Sequence, residues 1–357
     1  MEGELLDTAL FYSTLPIDLS GSRSKNRFRI ELLWGVCKML DLLALGKDFA
    51  MVFDYACDIE VHYSDGFEFY QIKTHGKTVS SYTSGQLVKK ATLNAEGSIL
   101  GKLYRLNISG SDSVKLFIVS NVPLSANKKK IGEEVVCLGN LPQNTTIEID
   151  DALKKELNVP DVDLSNVYYL CTDINLRNPE NEVQGKLVMS FEQLKGCEPS
   201  NPHALYRLIV DTVTERACYE FPETDYETVI AKKGITKDDF DHMLDCHAVN
   251  EKTGIKQTND YIDRLTDIRL KRLYKKALAN LLRIIPTSRL LRNMELRIAE
   301  ALKDDDQYSD IDSALDYLTE RFHDQFPIEY DNANKTVFYI IVISKYEEGV
   351  YDDEDDI

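Results

Sequence analysis

No run of about 18 apolar residues occurs in the 357 residues, so no segment predicts a transmembrane helix and no membrane partner is expected. The first residues, MEGELLDTALFYS, lack a basic stretch ahead of an apolar one, so a secretory leader is not expected either. No CxxC pair exists among the seven cysteines at 37, 57, 137, 171, 197, 218 and 246. Their odd number and scatter exclude a disulfide framework and predict reduced, mostly buried thiols and a cytoplasmic location. The six histidines include His242 and His247, five apart around Cys246, a poor spacing for zinc on one helical face. No GxSxG elbow is present, and no internal repeat. His75-Gly76-Lys77-Thr78 lacks the glycine that a phosphate-binding loop needs five residues before Gly76, where Gln71 stands.

Positive charge is also scarce overall, with a formal net charge of −18. Its distribution is uneven. Residues 1–130 hold 16 Lys and Arg against 14 Asp and Glu, and the remainder holds 26 against 46. The first part can therefore present a basic surface to phosphates while the whole chain is acidic. Arg23, Lys25, Arg27 and Arg29 form one basic cluster, Lys89 and Lys90 a second, and Lys128–Lys130 a third. The acidic excess of the second half, including Asp304–Asp306, reads as solvated surface, with docking on a partner or masking of a DNA cleft as the sharper alternative.

What is present is an ordered series of elements. Phe28 to Leu45 is rich in helix formers and stops at Gly46. FAMVFDY reads as a short strand, CDIEVHY alternates, and Ser64-Asp65-Gly66 is a turn before FEFYQIKT, which alternates again. Residues 84–106 read as a helix broken near Gly97, 114–120 as a strand, 127–135 as a basic loop, 148–158 as a short helix and 165–176 as a strand. From about 200 to 336 the pattern is helical, and TVFYIIVIS at 336–344 is of strand type. These elements predict an α/β domain over 1–205, a mainly helical domain over 206–345 and an acidic, disordered tail over 346–357. In the helical part, 261–286 carries apolar residues at three-four spacing, expected of a packing or oligomerisation face.

The two alternating runs raise a chemical question. Asp58, Glu60 and His62 share one face of the first, and Phe67, Phe69, Gln71 and Lys73 one face of the second. A symmetric turn brings position 58 to the level of 71–73. A carboxylate, an amide oxygen and an ammonium then meet at one end of a sheet, and core packing needs none of them. Hard oxygens suit Mg²⁺, with Mn²⁺ as the alternative, and Lys73 would position an attacking water or stabilise developing negative charge. Glu31 or Glu60 would supply a further carboxylate.

Asp58 followed by Gln71-Ile72-Lys73 resembles the PD-(D/E)xK nuclease motif in its Gln-x-Lys form. SGSRSKNRFRIELLWGVCKMLDLL, FDYACDIEVHYSDGFEFYQIKT, GSILGKLYRL and LFIVSN, in that order, resemble the double-stranded DNA endonuclease domain of bacterial antiphage effectors over roughly residues 15–205. Such domains occur in the cyclic-nucleotide-activated SAVED effectors, in the Lamassu effector nuclease and beside HerA-type ATPases. The resemblance implies a restriction-endonuclease-like core, with Asp58, Gln71 and Lys73 as its catalytic centre and Asp58, Gln71 and Glu31 as its metal ligands. It further implies DNA contacts from Arg23, Lys25, Arg27, Lys89 and Lys90. The expected activity is Mg²⁺-dependent cleavage of double-stranded DNA with low sequence specificity, in antiphage defence. No cyclic-nucleotide sensor is expected in the helical part, so control is expected from an SMC-like ATPase complex of the Lamassu type, from a HerA-type ATPase or from homo-oligomerisation. Gln71 stands where the motif usually has an acid. That leaves a second expectation, a catalytically inactive nuclease-like subunit that binds DNA or serves assembly.

Overall fold

The computed structural model describes residues 20–75, 79–90, 96–107, 113–173, 178–223, 225–248, 254–303 and 310–351. Gly76–Thr78, the acidic run Asp304–Asp306 and most of the acidic tail lie outside them. The chain forms two compact units, one of residues 1–186 and 213–235, the other of 187–212 and 236–357.

The first unit opens with helix α1 (Ser20–Ala44), which begins eight residues before the expected start and takes in the basic lead-in SGSRSKNR. Strands β1 (Ala50–Phe53), β2 (Ile59–His62) and β3 (Phe67–Ile72) follow as an antiparallel meander. β5 (Val114–Ser120) runs parallel to β3, β9 (Val167–Cys171) parallel to β5, and β8 (Val135–Cys137) antiparallel to β9. With β10 (Gly234–Thr236) at one edge, the order is β10-β1-β2-β3-β5-β9-β8. A mixed seven-stranded sheet flanked by helices is the layout of the restriction-endonuclease-like fold.

Both faces of the sheet are covered. On one, α1 lies so close that a Cβ on Gly35 would fall 2.3 Å from Phe53 Cε1 and 2.9 Å from Ile59 Cδ1. Trp34 packs on Tyr70 there, with ring centroids 5.0 Å apart. On the other, Phe69, Leu116, Ile118 and Tyr169 pack against Leu100 and Leu103 of α3 (Ile99–Tyr104) and Ile149 and Leu153 of α4 (Gln143–Leu157). A smaller sheet of β4 (Tyr82–Thr83), β6 (Leu124–Ala126) and β7 (Lys129–Lys130) continues beyond β5.

The structure corrects several expectations. Within 84–106, the described residues form a one-turn helix α2 (Ser84–Leu87) and the short α3 (Ile99–Tyr104), so Lys89 and Lys90 lie just past α2 rather than on a helix. Lys128–Lys130 belong to a tight β6–β7 hairpin, with Asn127 and Lys128 at φ 51° and 63°. The seven cysteines are unpaired as expected, but six are half-buried and Cys218 is exposed.

The largest correction falls in the second unit. TVFYIIVIS is not a strand but the middle of α13 (Asn332–Glu347), started by Asp331, whose carboxylate accepts from the Asn334 N–H at 2.8 Å. Residues 337–344 are all buried, because α9 (Ile255–Arg264), α10 (Ile268–Ile284), α11 (Arg289–Lys303) and α12 (Ile311–Phe322) surround this helix. A helix enclosed on every side needs no polar stripe, so its apolar run imitates a buried strand. No helix among the described residues is long and apolar enough to cross a membrane.

Candidate active site

The β2–β3 hairpin has the register that its turn demands. Ile59 pairs with Tyr70 and His62 with Phe67, so position 58 falls opposite 71. The Tyr63 N–H closes the turn on the Gly66 carbonyl at 2.8 Å. Gly66 is required there by close approach, since a Cβ would lie 2.0 Å from the Ser113 carbonyl oxygen. The other end of β2 begins in a tight loop, Asp54–Asp58. Asp54 adopts φ 49°, and its N–H bonds the Asp58 carbonyl at 3.0 Å.

This loop aims the Asp58 side chain at the end of β3. Asp58 Oδ2 accepts from the Ile72 N–H at 2.6 Å and lies 3.5 Å from Lys73 Nζ. Lys73 Nζ also donates to the Ile72 carbonyl at 2.9 Å. The Lys73 backbone is fixed on both sides, its N–H on Val119 O and its carbonyl by Ser120 Oγ, each at 2.8 Å. The side chains remain reachable, Lys73 being 32% and Asp58 18% exposed. Gln71 is half-buried on the same strand.

Glu31 joins them from α1. Burial pushes its carboxyl up to about 7, and the charges of Asp58 and Asp54 add to that, against Lys73 and Arg27. Arg23, Arg27 and Glu31 are spaced four apart and line one helix face, whereas Lys25 lies off that line. Arg29 is engaged elsewhere, with Glu180 at 2.6 Å and Asn26 at 2.7 Å. Arg23, Lys25, Arg27, Lys89 and Lys90 are all exposed.

Glu60, the alternative carboxylate, does not point at this group. It is buried and bonds His62 Nε2 at 2.9 Å and the Ala56 N–H at 2.6 Å. Asp54 was not singled out in the sequence, yet its charge reaches Glu31. The signal was a second aspartate four residues before Asp58 in a tight loop.

Among the described residues no three His, Cys, Asp or Glu side chains form a ready metal cluster. Asp58 and the Ile72 carbonyl meet around Lys73 Nζ, Glu31 lies within reach of the Asp58 charge, and Gln71 stands opposite position 58 on β3. Such a set fits a hard divalent cation. The Lys73 ammonium, bonded to Asp58 and Ile72 O, shows that positive charge is accommodated between two of these oxygens. Glu31's carboxyl is raised first by burial and next by the Asp58 charge, and a cation held between the two would relieve the second.

Sheet order and helix placement are those of the restriction-endonuclease-like fold. Residues 19–217 match the family model for the Cap4 dsDNA endonuclease domain, more than half of the chain, and the chain belongs to that family of antiphage double-stranded DNA endonucleases. No curated protein matches the sequence.

Proposed function

We propose that the chain cuts double-stranded DNA with little sequence preference in a reaction that requires Mg²⁺, or Mn²⁺ in its place. The observation that carries this reading is the meeting of Asp58 and Lys73 at 3.5 Å beside Glu31, whose carboxyl burial and Asp58 push up to about 7. Asp58, Glu31 and the Gln71 amide would hold the cation, which supplies an acidified water and offsets charge on the phosphate. Lys73 orients the attacking water and stabilises negative charge as the P–O bond breaks. Arg23, Arg27, Lys25, Lys89 and Lys90 contact the DNA backbone, where phosphate contacts give affinity without base readout.

An enzyme of this kind would damage its own host, so its activity has to be restrained. We infer control by an SMC-like ATPase complex of the Lamassu type, or by a HerA-type ATPase, with homo-oligomerisation pairing two sites to cut both strands. A cytoplasmic location goes with such partners.

Gln71 favours one second reading, a subunit that binds DNA without cutting it, since an amide brings no charge to a cation. Cleavage of supercoiled plasmid by the full-length chain with Mg²⁺, at protein concentrations that span monomer and oligomer, separates the two. The nuclease reading expects nicking and linearisation that Lys73→Ala lowers at least about 100-fold without loss of DNA binding. Binding without cleavage at every oligomeric state would establish the second reading instead.

A further inference from the structure

The loop that aims Asp58 is held from outside the sheet, by residues more than 150 positions downstream. Tyr55, in the loop, donates its hydroxyl to the Glu223 carbonyl. The Tyr55 ring lies 5.8 Å from Lys233 Nζ. Lys233, the last residue of α7 (Tyr226–Lys233), is 2% exposed. Its ammonium donates to the carbonyls of Ala217 at 3.0 Å and Tyr219 at 2.7 Å. Ala217 is the last residue of α6 (Pro202–Ala217), so the charge sits at the negative end of a helix.

A second line reaches the same loop. The Tyr226 hydroxyl is 3.3 Å from His62 Nδ1, and the two rings stack with centroids 5.7 Å apart. His62 Nε2 bonds Glu60 Oε2 at 2.9 Å, and the other Glu60 oxygen accepts from the Ala56 N–H at 2.6 Å. Tyr226, His62, Glu60 and Ala56 thus form one relay that ends on the loop backbone.

These contacts are costly for a purely structural purpose. Burial strips the Lys233 ammonium of solvation that its two carbonyls, with the charges of Asp54 and Glu60 further off, must offset. Glu60 and His62 commit a buried acid and a buried imidazole to one loop amide. Two polar devices converge on the five-residue loop that carries Asp58.

We propose that residues 217–223 and 225–233 act as a strap that positions the Asp54–Asp58 loop, with Tyr55, Glu60, His62, Tyr226 and Lys233 as positioning residues for Asp58. The family match ends at residue 217, so Tyr219, Glu223, Tyr226 and Lys233 all lie beyond it. The strap nevertheless belongs to the same compact unit as the sheet. The catalytic half of this inference rests on the nuclease reading above; the mechanical half does not.

The test uses the full-length chain with Tyr226→Ala, Tyr226→Phe, Tyr55→Phe and Lys233→Met, and two readouts. The first is hydrogen–deuterium exchange at residues 54–58, where the amides of Asp54, Tyr55 and Ala56 are all bonded inside the hairpin. Tyr226→Ala and Lys233→Met should speed exchange there at least about tenfold and leave β5 unchanged, while Tyr226→Phe, which keeps the stacked ring, stays near the parent. The second readout is single-turnover plasmid cleavage beside DNA affinity. The same two variants should cut about 10- to 100-fold more slowly with DNA affinity within about twofold, the range typical of residues that orient a ligating side chain. Unchanged exchange overturns the strap. Faster exchange with full cleavage overturns its positioning role. Should the parent chain itself bind DNA without cutting, the nuclease reading fails and the positioning role fails with it, while exchange still decides whether the strap holds the loop.

Discussion

Replacing Glu31 by glutamine tests the electrostatics of the site without DNA or metal. The Glu31 carboxyl lies at about 7 in the folded chain against 4.5 for the free side chain, mainly because it is buried and next because Asp58 is near. A raised acid binds its proton more tightly in the folded state. Its contribution to stability is full below about 4.5 and is lost as pH rises through 7. At about 1.4 kcal/mol per pH unit, the ionised carboxylate costs up to about 3 kcal/mol once pH exceeds 7. Glu31→Gln keeps the shape and never ionises. Its melting temperature should match the parent below about pH 4 and exceed it by roughly 6–12 °C at pH 8 without divalent cations, at about 2–4 °C per kcal/mol for a unit of this size. Millimolar Mg²⁺ should raise the parent's melting temperature at pH 8 more than the variant's, since the cation relieves the repulsion that the variant lacks. Thermal unfolding in EDTA across this pH range decides it. A variant no more stable than the parent at pH 8 would refute the buried, repelled carboxylate.

Other sites give further expectations. Gln71→Glu adds a third charged oxygen donor, so plasmid cleavage should reach half its maximum at a lower Mg²⁺ concentration; an unchanged or higher requirement would place Gln71 away from the cation. Replacing Arg23, Arg27, Lys89 and Lys90 together by alanine should flatten the dependence of log Kd on log salt by about 0.9 for each phosphate no longer neutralised, and an identical slope would take these residues off the DNA path. Gly35→Ala should cost about 1–3 kcal/mol in urea unfolding, because the new methyl meets Phe53 and Ile59 where α1 packs on the sheet, and a neutral effect would mean that α1 shifts freely.

The hairpin was legible because two period-2 runs flank a turn, and that fixes which residues face each other. Position 58 opposite 71 follows from the register alone. The strands read at 114–120 and 165–176 were legible as well, as β5 and β9. Two kinds of feature were not legible. α13 carries a β-branched run that is helical because four helices enclose it, which no local window contains. The partners of the Asp58 loop were hidden for a different reason. Tyr55 and Glu223 stand 168 positions apart, and His62 and Tyr226 stand 164 apart. Nothing in the spacing of either pair announces that they meet. Glu60 shows the same limit in reverse. Strand alternation puts it on the Asp58 face, but only its neighbours reveal that its oxygens are taken by His62 and Ala56.

The chain passes between its two units at 186/187, at 212/213 and at 235/236. No single scissile point therefore releases either unit whole. A protease nick, a split-gene design or a reporter fused at the foot of the sheet would each leave one unit with a piece missing. The sheet's own edge strand, β10, would be the first element stranded on the wrong fragment.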